Sequence, residues 1–368
     1  MTHRIGNGRP PGRATSVLDR AVQAASGVAR GRRPRRPVLI GIGVLVLALA
    51  FAVVFAVVPE DREPVAQPAD TTVSPPAPWL SGAAGIGVVD GDFGAWRGRP
   101  VEISATWADS DEAMLQLWQL QPGEEFGDWD LPLDIAIGAF SEDDGSWEEA
   151  ADGAYDARWE ESLTTLRELR ADRPGTTYVR FAHEMNGDWY AWSVDEDDAE
   201  DFEEAWRRFR ELQEEVFPDA QLVFCVNRES VGTGLDWREL FPGAEYVDVL
   251  AVDYYNTSPP VSTAEEWADS LDDTDEWGGP KGLDQHLAFA ASVGLPLAVP
   301  EWSGNADEGD SPAFIEGMYE FFDTHGGSGP GQLLYEIQFN EEKDDDNWAL
   351  YDPTTRMPRS AETYQQLW

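Results

Sequence analysis

Cysteine is almost missing from this chain: Cys225 is the only one in 368 residues. A disulfide framework and a cysteine zinc cluster are therefore excluded. Between apolar neighbours in FCVN, Cys225 reads as an inert buried thiol. Lysine is nearly as scarce, with Lys281 and Lys343 standing against 24 arginines. Neither GxGxxG nor GxxxxGK[ST] occurs, which leaves nucleotide chemistry without a phosphate loop. Of the four histidines, His286 and His325 have no metal-ligand spacing. The acid run Asp344, Asp345, Asp346 lacks the glycine and spacing of a calcium loop and reads as a solvated face. Nothing calls for a metal or any other cofactor.

Acid, by contrast, is abundant. Asp and Glu number 70 against 26 Lys and Arg, a formal charge of −44. The charge falls in two blocks: residues 1–37 carry nine arginines and one aspartate, a net of +8, so the remainder stands at −52. A body of that sign repels nucleic-acid phosphates and anionic headgroups, and a neutral substrate suits it better. With 42% hydrophobic and 11% aromatic residues, the chain has ample material for a core.

Between the two blocks lies VLIGIGVLVLALAFAVVFAVV, Val38 to Val58, 21 residues without a charge. At about 1.5 Å per residue a helix of that length spans roughly 30 Å, the thickness of a bilayer's hydrocarbon core. Arg30, Arg32, Arg33, Arg35 and Arg36 precede it, so the positive-inside rule keeps residues 1–37 cytoplasmic and puts the body outside the cell. A long cleaved signal sequence is the rival reading and places the body on the same side; Pro59 makes cleavage at the end of the run awkward. Residues 59–78, with six prolines and two valines, form an extended tether. The ordered domain is expected over 79–368.

In that domain short apolar runs alternate with helical spacing. Eight candidate strands are Ala84–Val89, Val101–Trp107, Leu133–Phe140, Thr177–Ala182, Leu222–Val226, Val247–Val252, Leu297–Val299 and Leu333–Phe339. Trp159, Leu163, Leu166 and Leu169 keep helical spacing, as do Phe202, Trp206, Phe209, Leu212 and Val216. Eight such repeats in some 290 residues predict an α/β fold, a (β/α)8 TIM barrel, over the open doubly wound sheet. Functional groups then belong at the strands' C-terminal ends. There stand Trp107 and Asp109 after the second strand; Arg180, His183, Glu184 and Asn186 at the fourth; and Asn227 and Arg228 at the fifth. Asp253, Tyr255 and Asn256 close the sixth, Glu301 and Trp302 the seventh, and Gln338 and Asn340 the eighth.

Glu184 and Glu301 are far apart in sequence, yet the ends of strands four and seven face one another across a barrel mouth. Two such carboxylates are the usual means of breaking a glycosidic bond: about 5–5.5 Å apart they retain configuration, about 6.5–9.5 Å apart they invert it. Any one glutamate among so many has the bland alternative of a rim ion pair. The motifs around these two decide the matter. RFAHEMNGDWYAW (Arg180–Trp192) and LAVPEWSG (Leu297–Gly304) resemble the acid/base and nucleophile strands of family 26 glycoside hydrolases, a group with many β-mannanases in the retaining (β/α)8 clan.

The resemblance implies Glu184 as acid/base and Glu301 as nucleophile, with His183 ordering the site and touching the sugar. It implies an aromatic wall at Trp189 and a tyrosine, Tyr255 of AVDYYN, on the nucleophile. Arg180 is expected to keep Glu301 ionised, and Asn227, Trp107 and Trp302 to line the substrate path; Trp192 belongs to the same aromatic group. The chain departs from the family at Phe224, where Trp is common. It departs again after strand eight, where YEIQFNEEKDDDNW lacks the usual platform and leaves Phe339 or Trp348 to replace it. The expected function is an extracellular, membrane-tethered retaining hydrolase of β-linked polysaccharide. β-Mannan is the first substrate, with β-xylan, β-glucan or an exopolysaccharide behind it. The alternative from another class is a cell-surface carbohydrate-binding protein on the same barrel without turnover. Oligomeric state is not legible.

Overall fold

The computed structural model describes residues 77–141, 145–342 and 347–368. The predicted cytoplasmic tail, the span Val38–Val58, nearly all of the tether, and Lys343 with Asp344–Asp346 lie outside the described residues. Among the described residues no helix is long and apolar enough to cross a membrane.

Eight parallel strands form one sheet: β1 (Leu80–Gly85), β2 (Ser104–Ala108), β3 (Leu133–Ile137), β4 (Thr177–Phe181), β5 (Gln221–Asn227), β6 (Val249–Tyr255), β7 (Leu297–Ser303) and β8 (Leu333–Asn340). Each pairs with its sequence neighbour from β2 to β8, and β8 pairs back onto β1. Closure comes where the Glu102 N–H donates to the Ser81 carbonyl at 3.0 Å and the Ser104 hydroxyl to the Ala83 carbonyl at 2.8 Å. The connections carry α1 (Asp92–Arg97), α2 (Asp111–Gln116), α3 (Trp147–Ala151), α4 (Asp156–Arg170), α5 (Ala199–Val216), α6 (Ala264–Ser270), α7 (Leu283–Val293) and α8 (Pro312–His325), and α9 (Pro358–Leu367) follows β8. From β5 to β6 the chain uses two short 3-10 turns. This is the expected (β/α)8 barrel.

Period-2 alternation divides the apolar residues between two cores. Ala105, Tyr178, Val223, Cys225, Ala251 and Ile337 pack inside the barrel. Val179, Phe181, Leu222, Phe224, Leu250 and Val252 face the helices. The helix α5 meets them with Phe202, Trp206, Phe209 and Val216, a stripe at helical spacing, and begins with Glu200 and Asp201 in its first turn, where the dipole favours acid.

Two strands, β1 and β7, differ by four residues at an end from the sequence reading. Strand β1 starts four residues before the expected Ala84 and stops at Gly85, because Gly85 and Gly87 have φ of 100° and 74° and turn the chain away. Its first half, Leu-Ser-Gly-Ala, is too small and polar to stand out as an apolar run; a Cβ on Gly82 would lie 2.3 Å from the Ile103 carbonyl oxygen. Strand β7 runs four residues beyond Val299 and contains Glu301. Its register shifts between Val299 and Trp302. Leu297 and Val299 face the helices and Ala298 the interior, so strict alternation would send Glu301 outward; the bulge reverses the parity and aims Glu301 into the barrel.

Candidate active site

At the end of β4 the backbone enters the left-handed region twice, at Ala182 (φ 47°) and Glu184 (φ 53°), both unfavourable for residues with a Cβ. The strain is held by hydrogen bonds. The Ala182 N–H donates to the Ile137 carbonyl at 2.8 Å and the Glu184 N–H to the Cys225 carbonyl at 3.0 Å. Asn186 is buried and clamps this loop to β5, donating to the Asn227 carbonyl at 2.9 Å and accepting its N–H at 2.8 Å. Gly187 lets the next aromatic fold back, since a Cβ there would sit 2.4 Å from the Trp189 ring. Trp189 thereby donates its indole N–H to Glu184 Oε2 at 2.9 Å.

Glu301 accepts three donors from three other strands. The Trp107 indole reaches Oε1 at 2.5 Å and Arg180 Nη1 reaches the same oxygen at 2.6 Å, while the Tyr255 hydroxyl donates to Oε2 at 2.9 Å. Arg180 is fully buried and also meets Asp134 at 2.5 Å and Asp253 at 3.3 Å. Asp134 in turn accepts the Tyr335 hydroxyl at 2.6 Å. One guanidinium thus stands among three carboxylates, and burial together with the charge of Glu301 pushes Asp253 well above the ordinary carboxylate range.

The two glutamates are driven apart. Burial and the negative Glu301 push the Glu184 carboxyl up to about 8, against the opposing pull of the Trp189 hydrogen bond and Arg180. Burial would raise Glu301 too, but the Arg180 guanidinium, His183 and the hydrogen bonds from Arg180 and Trp107 outweigh it and hold Glu301 below its ordinary value of 4.5. Burial and the charge of Glu301 raise Tyr255 well above 10, so it stays a donor. The mouth therefore holds a protonated carboxyl and an ionised carboxylate together near neutral pH, the pairing that general-acid and nucleophilic chemistry need.

Not every expected residue points at this mouth. Trp189, Asn227 and Tyr255 line one cavity of about 270 Å³ with Glu229, Val231 and Ser258. Trp107 stands on the nucleophile. Trp302 does not take part: one position past Glu301, it faces the helices, fully buried, with its indole N–H on Glu336 Oε2 at 2.6 Å and its ring stacked on Trp368. Trp192 is likewise core, bonded to the His183 carbonyl at 2.9 Å and stacked under Tyr190. His183 is 1% exposed and bonds the Tyr190 hydroxyl at 2.9 Å, which ties it to the loop that carries Glu184. Arg180 is fully buried with carboxylates as its partners, Glu301 among them. His286 is buried against Trp237 with its ring nitrogen on the Arg228 carbonyl, and burial pushes it down to about 3. Phe339 is buried between Trp107 and Tyr255, whereas Trp348 is half-buried edge-on to Tyr255 at 4.8 Å.

Sequence reasoning missed Asp134 and Tyr335. A signal was available: a carboxylate inside LDIAI, an otherwise apolar strand, must have a buried cation or donor as partner.

The model of glycosyl hydrolase family 26 matches residues 156–273, which include Glu184 and Tyr255. Endoglucanase H of Acetivibrio thermocellus is 25% identical over 183 residues, 47% of this chain and 18% of that protein. A mannan endo-1,4-β-mannosidase of Bifidobacterium adolescentis is 26% identical over 165 residues, 42% of this chain and 16% of that one. The chain thus spans less than a fifth of the length of these curated relatives. Among solved structures, a family 26 β-mannanase from Bacteroides ovatus aligns over 78% of this chain and 88% of its own with a TM-score of 0.54 and 15% identity, a likeness of fold.

Proposed function

We propose that this chain, whose residues 156–273 match the model of glycosyl hydrolase family 26, is a retaining hydrolase of a neutral β-linked polysaccharide, with β-mannan as first substrate. The observation that carries the reading is the opposed pair at the barrel mouth, Glu184 raised to about 8 and Glu301 lowered. In the first step protonated Glu184 gives its proton to the leaving sugar's oxygen while Glu301 attacks the anomeric carbon. The glycosidic C–O bond breaks as an ester to Glu301 forms. Water then gives a proton back to Glu184 and displaces Glu301, restoring both groups and the configuration at carbon. The cavity bounded by Trp189, Asn227 and Tyr255 adjoins both carboxylates and takes a sugar ring on the side of Glu184. Trp348 supplies an aromatic face beside Tyr255. A binding protein without turnover has no use for two carboxylates held at opposed protonation, so turnover is the reading retained.

The test is reducing-end release from mannan, xylan and β-glucan, with Glu301→Ala as control. The variant is expected to lose turnover of every substrate and to regain it with azide as a glycosyl azide of inverted configuration. Full activity of Glu301→Ala without azide ends the hydrolase reading. We also place the barrel outside the cell, tethered by Val38–Val58 behind the arginine cluster. Recovery of a soluble mature chain beginning near residues 59–70 would remove the tether.

A further inference from the structure

The three donors on Glu301 are shared unequally between its oxygens. Oε1 accepts both the Trp107 indole N–H at 2.5 Å and Arg180 Nη1 at 2.6 Å, whereas Oε2 accepts the Tyr255 hydroxyl at 2.9 Å. A carboxylate oxygen offers two in-plane lone-pair sites. Those of Oε1 are filled, and an oxygen so engaged is the poorer nucleophile. Building on the retaining reading above, we propose that Trp107 is a positioning residue: with Arg180 it occupies Oε1 and leaves Oε2, on the Tyr255 side, as the oxygen that bonds to the anomeric carbon.

The barrel's register accounts for the placement. Trp107 pairs with Ala136 on β3, and Ala136 with Arg180 on β4, so all three lie in one row. The row points inward, as the Asp134 contacts one step below show. The small Ala136 between them leaves room for the indole and the guanidinium to lean toward β7, and the Arg180 guanidinium carbon lies 5.8 Å from the Trp107 ring centre. The edge of Phe339, 5.3 Å away at 78°, fixes the tilt of the indole from the other side. An indole nitrogen only donates, so its bond to Oε1 cannot reverse during the reaction. The same bond helps hold Glu301 ionised.

A platform role for Trp107, with its ring stacked on the sugar, makes different demands, and two measurements separate them on the full chain. In the first, the wild type is trapped with 2-deoxy-2-fluoro-β-glycosyl fluorides of mannose, glucose and xylose and the adduct is crystallised. The ester is expected through the oxygen facing Tyr255; an ester through the oxygen facing Trp107 and Arg180 overturns the proposal. In the second, Trp107→Phe keeps an aromatic ring and removes the donor. It is expected to slow the burst of dinitrophenol from dinitrophenyl β-glycosides by about tenfold or more and to move the acid limb of kcat/KM to higher pH, with KM little changed. A rise in KM with the acid limb unmoved assigns Trp107 to stacking and also overturns the proposal. Failure of the hydrolase reading looks different again: the wild type itself gives neither adduct nor burst with any of these glycosides.

Discussion

Replacing Glu184 by Gln removes a carboxyl that the fold keeps protonated beside Glu301, and its consequences for stability can be worked from the structure. In the unfolded chain Glu184 ionises near 4.5; in the folded chain, burial and Glu301 hold its proton until about 8. The folded value is raised, so the contribution to stability is complete below about 4.5 and is lost as pH climbs toward 8. A rise of that size corresponds to about 5 kcal/mol for a fully shielded group, and the partial exposure of Glu184 cuts this to roughly 2–3 kcal/mol. Gln titrates nowhere in this range. Glu184→Gln should therefore match the wild type near pH 4 and exceed its stability by about 2–3 kcal/mol at pH 8, measured by urea unfolding through tryptophan fluorescence. The same proton is the one donated in catalysis. Wild-type kcat/KM should fall above about 8, and the variant should lose native polysaccharide turnover by about 10²–10⁴-fold. With a dinitrophenyl glycoside, which needs no proton, the alkaline limb should disappear. A stability difference that stays constant from pH 4 to pH 8 refutes the reasoning, because it means that Glu184 ionises alike in both states.

Arg180→Lys keeps the charge but cannot reach Asp134, Asp253 and Glu301 together, so the acid limb of kcat/KM should move to higher pH and the melting temperature should drop. A pH profile unchanged from wild type would count against Arg180 as the group that holds Glu301 ionised. Trp302→Ala should cost about 3–5 kcal/mol in unfolding experiments, because it leaves a cavity beside Trp368 and strips a donor from Glu336. KM of the surviving folded enzyme should stay near the wild-type value; a raised KM at unchanged stability would return Trp302 to the sugar path.

What the sequence determined alone is whatever depends on residue type and short spacing. Eight apolar runs alternating with stripes such as Phe202, Trp206, Phe209 and Val216 are enough to specify a barrel, because a parallel strand buried on both faces must be apolar throughout. The long motif around Glu184 carries its own turn chemistry, with Gly187 and Trp189 at a spacing that brings the indole onto the acid. Tertiary structure alone decided which way the side chains of β7 face. By simple alternation from Ala298, Trp302 points inward and Glu301 out; the register shift against β8 reverses them, and a bulge depends on how two strands pair, which no local pattern records. The sharing of donors between the oxygens of Glu301 is of the same kind. Trp107, Arg180 and Tyr255 come from strands far apart in the chain, and their distances to one carboxylate exist only once the barrel closes and sets the stagger of every strand against the next.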